Sequence, residues 1–153
     1  MPNTYTQIHI HFVFAVTHRY GIINATWKDE LYKYITGVIQ KNTHKLICIN
    51  GMPDHVHILA GVRPTQSISD LMQDIKGNSS KWINEKRLVA GKFEWQEGYG
   101  AFSYGKSQIK DVIRYIENQE HHHKKKSFLE EYRDFLNAFE IDFDERYIFK
   151  DLI

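Results

Sequence analysis

Hydrophobic and polar residues alternate near the start of the chain. Over Thr6–Val16 every second residue from Ile8 onward is strongly apolar, and His9 and His11 lie among the residues between them. A period of two is typical of a β-strand with one face against a core. The pattern therefore predicts a first strand that turns both histidines to its other face.

The rest of the chain shows helical periodicity alternating with short runs of β-forming residues. In order, the pattern predicts a helix from about Thr26 to Asn42, strands at Leu46–Asn50 and His55–Val62, a helix from Ser67 to Lys86, an interrupted strand within Phe93–Tyr104, a helix from an N-cap at Ser107 to Lys126, and a last helix opened by Ser127 and Glu130. The order βαββαβ predicts an α+β, ferredoxin-like fold: an antiparallel sheet with two helices on one face, followed by additional C-terminal helices.

Composition narrows the class of protein. A chain of 153 residues, 42% of them hydrophobic, can bury one sizeable core. The sequence has no apolar run long enough to span a bilayer and no secretory signal pattern at its start, so we expect a cytoplasmic protein without a membrane partner. The formal net charge is only +1, so binding to nucleic acid would need local basic patches.

Two histidine pairs occur in predicted strands. His55 and His57 are two residues apart, so their side chains share one face of a strand while Val56 faces the core. Such a pair can bind one metal ion, although histidine is also an ordinary half-buried strand residue. His9 and His11 repeat the pattern on the first strand, which lies beside the third in this topology. The four histidines predict a shared metal environment, or a division into ligands and their hydrogen-bonding neighbours, and spacing alone does not rank the pairs.

The predicted third helix carries a polar edge beside its apolar face. Tyr115 and Gln119 are four residues apart, and His122 and Lys126 continue the same stripe. This edge has two interpretations. Either Tyr115 borders the core and the basic end of the helix is solvated, or Tyr115 attacks a phosphodiester while Gln119 offers an oxygen to a metal ion. A tyrosine nucleophile suits breakage followed by rejoining, because a phosphotyrosine ester stores the broken bond.

Four motifs together resemble one family, the single-tyrosine HUH transposases of the IS200-like group, in which HUH means histidine, hydrophobe, histidine. The motifs are Met52-Pro-Asp-His-Val-His-Ile-Leu59, Lys76-Gly-Asn-Ser-Ser-Lys-Trp82, Trp95-Gln-Glu-Gly-Tyr-Gly-Ala-Phe-Ser103 and Tyr115-Ile-Glu-Asn-Gln119. The resemblance implies a single transposase domain over residues 1–153, with a core at 5–105, the tyrosine helix at about 107–126, and a C-terminal helix and tail at 127–153.

The resemblance also implies a role for each site residue. Tyr115 would be the nucleophile, His55 and His57 would bind Mg²⁺ or Mn²⁺, and Gln119 would be the third ligand. Further candidates, as ligands or as neighbours of the ligands, are His9, His11, His122 and His123. The implied substrate is single-stranded DNA that carries a hairpin, cut through a 5′-phosphotyrosine intermediate. The implied assembly is a homodimer in which the tyrosine helix of one chain completes the histidine site of the other.

Basic residues near the second and third helices are candidates for phosphate contacts. They are Lys76, Lys81, Arg87, Lys92, Lys106 and Lys110. Two other functions stay open: a domesticated or non-catalytic protein that binds nucleic-acid hairpins, and a metal-dependent phosphodiesterase that uses water and leaves Tyr115 a structural role.

Overall fold

The computed structural model describes residues 4–142. Within them the elements are β1 (His9–Ala15), α1 (Lys28–Lys41), β2 (Lys45–Met52), β3 (His55–Gly61), α2 (Ile68–Glu85), β4 (Gly100–Tyr104), α3 (Ile109–Glu117), α4 (Gln119–His122) and α5 (Phe128–Ala138). The strands of this part of the chain form one antiparallel sheet in the order β2-β3-β1-β4. The predicted α+β, ferredoxin-like order is confirmed. The predicted tail is described as far as residue 142.

One face of the sheet packs against α1 and α2. The alternation in β1 directs Ile10, Phe12 and Phe14 to this face, where they join residues of both helices in the main core. Leu31 and Ile35 of α1 and Leu71 and Ile75 of α2 are each fully buried there. Ser67 caps the start of α2, because its side chain accepts a hydrogen bond from the Asp70 amide, so the predicted start of this helix is confirmed. The helix continues unbroken through Gly77.

The opposite face of the sheet is covered by the C-terminal helices. Val112 and Ile116 of α3 pack on Leu59 of β3. Phe128 and Leu136 of α5 pack with Val13, Ala15 and Phe102 from β1 and β4. The predicted capping box of Ser127 and Glu130 starts α5 and is confirmed. The histidine side chains of β1 and β3 therefore lie between the sheet and these helices.

The prediction of one continuous helix from Ser107 to Lys126 is wrong. Ser107 lies inside a short 3-10 turn at Lys106–Gln108, and α3 ends before Asn118, whose φ of −96° and ψ of 27° leave the helical region. A tertiary contact coincides with this break. The side-chain amide of Asn50 on β2 donates to the backbone carbonyls of Ile116 at 2.9 Å and of Glu117 at 3.2 Å. These bonds satisfy carbonyl groups at the end of α3 and anchor it to the sheet.

The first and last strands are shorter than the sequence patterns suggest. β4 occupies only the end of the predicted Phe93–Tyr104 strand, and the preceding segment joins the sheet edge through a bridge between Val16 and Trp95. Trp95 is buried, and its indole nitrogen donates to the Ser79 hydroxyl at 2.9 Å. Among the described residues, no helix combines the length and the apolar character needed to cross a membrane.

Candidate metal and nucleophile site

The site begins with two imidazoles on one face of β3. His55 and His57 are both fully buried, and their ring centroids lie 5.0 Å apart. Val56, between them, belongs to the main core on the other face. The two-residue period of a strand thus produces the shared orientation that the sequence predicts.

Each of these rings has its Nδ1 atom engaged by a neighbour. His55 Nδ1 donates to Asp54 Oδ1 at 2.6 Å. His57 Nδ1 lies 2.8 Å from Nε2 of His11, whose ring stacks on it across the β1–β3 pair. His11 therefore takes the position of a hydrogen-bonding neighbour, one of the two roles that the pattern allowed. The Nε2 atom of each ring is left for the other side chains of the site. In metal-binding histidines, likewise, one ring nitrogen is held by a neighbour and the other binds the metal.

Two residues from the C-terminal part complete the cluster. Glu131 of α5 places its Oε1 atom 3.0 Å from His57 Nε2, 3.4 Å from His55 Nε2 and 3.2 Å from His123 Nε2. The Glu131 side chain is 4% exposed and that of His123 is 8% exposed. One carboxylate oxygen therefore lies among three imidazole nitrogens in a largely buried site.

The donor atoms of this cluster are spaced as metal ligands would be. One atom from each of His55, His57, His123 and Glu131 lies within 4.8 Å of the other three. Ligands about 2.1 Å from a tetrahedral ion are about 3.4 Å from each other, and the three nitrogen–oxygen distances in the cluster are 3.0 to 3.4 Å. The arrangement therefore fits a divalent ion after small side-chain adjustments.

Tyr115 and Gln119 border the same cluster. The Tyr115 hydroxyl donates a short hydrogen bond to Glu131 Oε2, and its ring lies edge-on to that of His57 with centroids 5.9 Å apart. Gln119 is fully buried. Its Oε1 atom lies 3.1 Å from His55 Nε2, and its Nε2 atom donates to Glu131 Oε2 at 3.3 Å. Within the single chain, the predicted nucleophile and the predicted third ligand thus both reach the histidine pair.

Burial and neighbouring charges oppose one another in this cluster. Burial disfavours charge on Glu131, but hydrogen bonds from His123, His55 and His57 hold the pKa of its carboxyl far below its usual range. Burial also disfavours charge on His55, yet Asp54 and Glu131 raise its pKa to about 9. For His57 the effect of burial exceeds the opposing effect of Glu131 and lowers the pKa to about 4. Burial, with the nearby Glu131 carboxylate, raises the pKa of Tyr115 above its usual value. Without a metal, the cluster therefore pairs an anionic carboxylate with a cationic His55 and a protonated phenol.

A cleft of about 520 Å³ opens beside Tyr115 and Glu131. Its other walls are formed by His121, His122, His123, Lys125, Lys126, Asp134, Phe135 and Ala138. His122 stacks on Tyr115 with ring centroids 4.4 Å apart. Lys125 and Lys126 line this cleft, and Lys126 pairs with Asp134 of the same lining.

The remaining predicted residues lie away from the cluster. His9 is half-buried at the start of β1, opposite Gly61 of β3. Of the predicted phosphate contacts, Lys76 donates to the carbonyls of Gln96 and Gly98, both at 2.7 Å. Lys81 pairs with Glu85, and Lys92 pairs with Glu94. Arg87 follows α2 with a φ of 53°. Lys106 and Lys110 are exposed. Lys76, Lys81 and Lys92 line one surface pocket, and Arg87 and Lys92 line a second. Lys76 also holds the loop before β4 through its bonds to the two carbonyls.

Glu131 is the residue that the sequence patterns missed. In the sequence, the helical spacing of Leu129, Tyr132 and Leu136 predicts that these residues form the buried stripe of the last helix. The buried residues of α5 are instead Phe128, Glu131 and Leu136. A carboxylate three residues after a buried phenylalanine lies on the inner side of the helix. A charged residue at such a position needs a partner, and this signal could have drawn attention to Glu131.

Known proteins are similar to this chain in sequence. A sequence model of the family described as "Transposase IS200 like" matches residues 4–119. The ISDra2 transposase TnpA of Deinococcus radiodurans is 25% identical over 118 residues, which cover 74% of this chain and 84% of that protein.

Solved structures give the same fold. A Deinococcus radiodurans protein of known crystal structure has 24% identity and a TM-score of 0.63, with 76% of this chain and 94% of that chain covered. A REP-associated tyrosine transposase bound to a REP hairpin has 14% identity and a TM-score of 0.61, with 79% and 72% covered. At these identities the two structures are evidence for the fold alone.

Proposed function

The chain belongs to the IS200-like transposase family, and from that premise we propose that it cuts and rejoins single-stranded DNA through Tyr115. The observation that carries this proposal is the position of the Tyr115 hydroxyl, which contacts a carboxylate that is itself in contact with His57. A nucleophile and a set of metal-binding side chains therefore share one small site. We also propose that the protein acts in the cytoplasm, where its DNA substrate would be found.

The side chains of the cluster suit a divalent ion such as Mg²⁺ or Mn²⁺. His55 and His57 would hold it through their Nε2 atoms, because their Nδ1 atoms are occupied by Asp54 and His11. Gln119, the third ligand implied by the family resemblance, directs its Oε1 atom to His55 Nε2. When bound, the ion would polarise a phosphate oxygen and offset the negative charge that develops there.

The chemistry assigned to Tyr115 is a transesterification. The phenol oxygen forms a bond to phosphorus while the bond from phosphorus to the 3′ oxygen breaks, which leaves a 5′-phosphotyrosine and a free 3′-hydroxyl. The phenol loses a proton in this step and the departing 3′ oxygen gains one, so the exchange releases no net proton. The hydrogen bond from the Tyr115 hydroxyl to Glu131 Oε2 holds the phenol beside the histidines. Attack by a 3′-hydroxyl on the phosphotyrosine reverses the exchange and rejoins the strand without ATP.

We propose hairpin-bearing single-stranded DNA as the substrate. Support comes from the REP-associated relative, which is bound to a hairpin in its solved structure. In this chain, the cleft beside Tyr115 has Lys125 and Lys126 among its lining residues, and such cations favour a phosphate backbone.

The test is covalent capture of DNA. The protein is incubated with labelled hairpin-bearing single strands and Mg²⁺ or Mn²⁺, and the products are separated on denaturing gels. We expect a protein–DNA adduct that disappears in Tyr115→Phe and in His57→Ala. It should persist in Tyr34→Phe, a matched control because Tyr34 is also half-buried but packs against Trp82 on the other side of the molecule.

Each alternative outcome points to a different function. An adduct that survives Tyr115→Phe would refute the assigned nucleophile. Free 5′-phosphate ends without an adduct would indicate hydrolysis by a metal-bound water. Tight hairpin binding without cleavage would indicate a domesticated or non-catalytic binding protein.

The homodimer is a separate proposal, which rests on the family resemblance. In it the tyrosine helix of one chain would serve the histidines of the other, whereas in the single chain Tyr115 lies beside its own His57. Mixing inactive Tyr115→Phe and His57→Ala proteins separates these arrangements. Exchange between chains predicts that adduct formation returns in the mixture, because one mixed site has both an intact tyrosine and an intact histidine pair. Failure of the mixture, with both variants forming mixed dimers, would contradict exchange.

A further inference from the structure

The cluster contains two residues that lie beyond the part of the chain matched by the family. The match ends at Gln119, and His123 and Glu131 follow it, on the segment after α4 and on α5. Both are nearly inaccessible to solvent, with side chains 8% and 4% exposed. They face the buried imidazoles of His55 and His57. A carboxylate or an imidazole is rarely buried unless it has a hydrogen-bonding partner or binds a ligand.

We infer that Glu131 and His123 join His55 and His57 as ligands of the divalent ion, and that this site selects a first-row transition ion such as Mn²⁺ over Mg²⁺. The inference rests on the proposed function, because it assigns the ligands of the same metal site. It makes α5, which the family match does not reach, part of the metal centre.

The two oxygens of Glu131 have different surroundings. Oε1 lies 3.0 to 3.4 Å from the Nε2 atoms of three imidazoles. Oε2 accepts hydrogen bonds from the Tyr115 hydroxyl and from the Gln119 amide nitrogen. Tyr115 and Gln119 therefore hold the carboxylate through Oε2, and Oε1 faces the imidazole nitrogens. Gln119 and Tyr115 orient the ligand, as hydrogen-bonding neighbours of metal-binding carboxylates generally do.

The donor set decides which ion the site prefers. Mg²⁺ favours oxygen ligands and keeps several of its waters. Imidazole suits first-row transition ions, among which Mn²⁺ binds most weakly. Here three nitrogens and one carboxylate oxygen converge. The four side chains are between 0% and 8% exposed, and two of them, Glu131 and His123, border the cleft beside Tyr115. The nitrogen-rich donor set therefore favours a first-row transition ion such as Mn²⁺ over Mg²⁺.

The experiment measures metal binding rather than catalysis. Metal-free full-length protein is titrated with Mn²⁺ while free Mn²⁺ is followed by electron paramagnetic resonance, and Mg²⁺ is then added as a competitor. The variants are Glu131→Gln and His123→Asn. Their matched controls are Glu130→Gln and His121→Asn, which change exposed neighbours of the same type. Circular dichroism of each metal-free variant verifies that it is folded, and Gln119→Ala tests the competing oxygen ligand.

We expect Glu131→Gln and His123→Asn each to weaken Mn²⁺ binding by at least about tenfold, the lower end of the effect of changing even a neighbour of a ligand. The controls should bind as the wild type does, and Mg²⁺ should displace Mn²⁺ only when in large excess. Unchanged Mn²⁺ affinity in folded Glu131→Gln, or loss confined to Gln119→Ala, would overturn the ligand assignment. Displacement by equimolar Mg²⁺ would overturn the selectivity.

Failure of this inference and failure of the proposed function give different results. Wild-type protein that binds Mn²⁺ through Glu131 but forms no DNA adduct would support the ligand set and refute strand transfer. Protein that forms the Tyr115 adduct, but binds Mn²⁺ equally well with Glu131→Gln, would support strand transfer and refute the ligand set.

Discussion

Raising the pH above 6.5 should destabilise the metal-free protein through His55. Burial of this ring opposes its charge, but Asp54 and Glu131 outweigh burial and raise its pKa to about 9. Because the unfolded value is about 6.5, the folded state binds more protons than the unfolded state between these pH values. The stabilisation is therefore fully present below pH 6.5 and is lost as the pH rises through 9.

The size of the effect follows from the difference in pKa. A folded pKa about 2.5 units above the unfolded one corresponds to roughly 3 kcal/mol in total, of which about 2 kcal/mol is lost between pH 6.5 and 8.5. Acidification acts in the opposite sense on His57. Burial lowers its pKa to about 4, so stability falls as the pH drops from 6.5 toward 4. The combined contribution of these two histidines to stability is thus greatest near pH 6.5.

Urea unfolding at pH 6.5, 7.5 and 8.5, with a chelator present and tryptophan fluorescence as the signal, measures this dependence. Asp54→Asn is the informative variant, because it removes the charge that contacts His55 Nδ1 and should flatten the decline above pH 6.5. A wild-type free energy of unfolding that stays constant or rises from pH 6.5 to 8.5 would refute the assignment of a buried imidazolium. An equal decline in Asp54→Asn would refute the role of Asp54.

Two further predictions concern packing and the anchor of the tyrosine helix. Gly100→Ala should cost about 1–3 kcal/mol of unfolding free energy, because the new Cβ would lie 2.7 Å from the Tyr132 ring and 2.9 Å from the Phe102 ring. Gly77→Ala, whose Cβ would meet nothing within 4 Å, should instead stabilise α2 by about 0.5–1 kcal/mol, and similar urea midpoints for the two variants would contradict the argument. Asn50→Ala should lower hydrogen-exchange protection of α3 and destabilise the protein by about 1–3 kcal/mol, since carbonyls at the end of that helix lose their donor. Unchanged protection in α3 would show that the anchor contributes nothing.

Much of the fold could be predicted because strand and helix periods follow from local geometry. The alternation around Phe12 identifies a strand and its buried face without knowledge of any other element. The same rule places His55 and His57 together, since residues two apart on a strand share a face. The position of His11 beside His57 followed from the predicted neighbourhood of the first and third strands, which the pairing confirms.

The parts that could not be predicted depend on contacts between distant segments. The helix break at Asn118 coincides with hydrogen bonds from Asn50, which lies 66 and 67 residues away from the accepting residues. Glu131 contacts His57 over a separation of 74 residues. No local sequence pattern predicts either contact, because each depends on how the C-terminal helices pack on the sheet.

The histidines of β1 and β3 also constrain how the sheet can form. In the observed register Val13 pairs with His57 and His11 with Leu59, and both imidazoles lie on the same face. A slip of one residue would turn one strand over and move its histidines into the apolar layer beneath α1 and α2. Each buried imidazole without partners would then cost about 1–3 kcal/mol. The histidines proposed for the active site therefore also favour the observed strand register. A chain folded out of register would be both unstable and inactive.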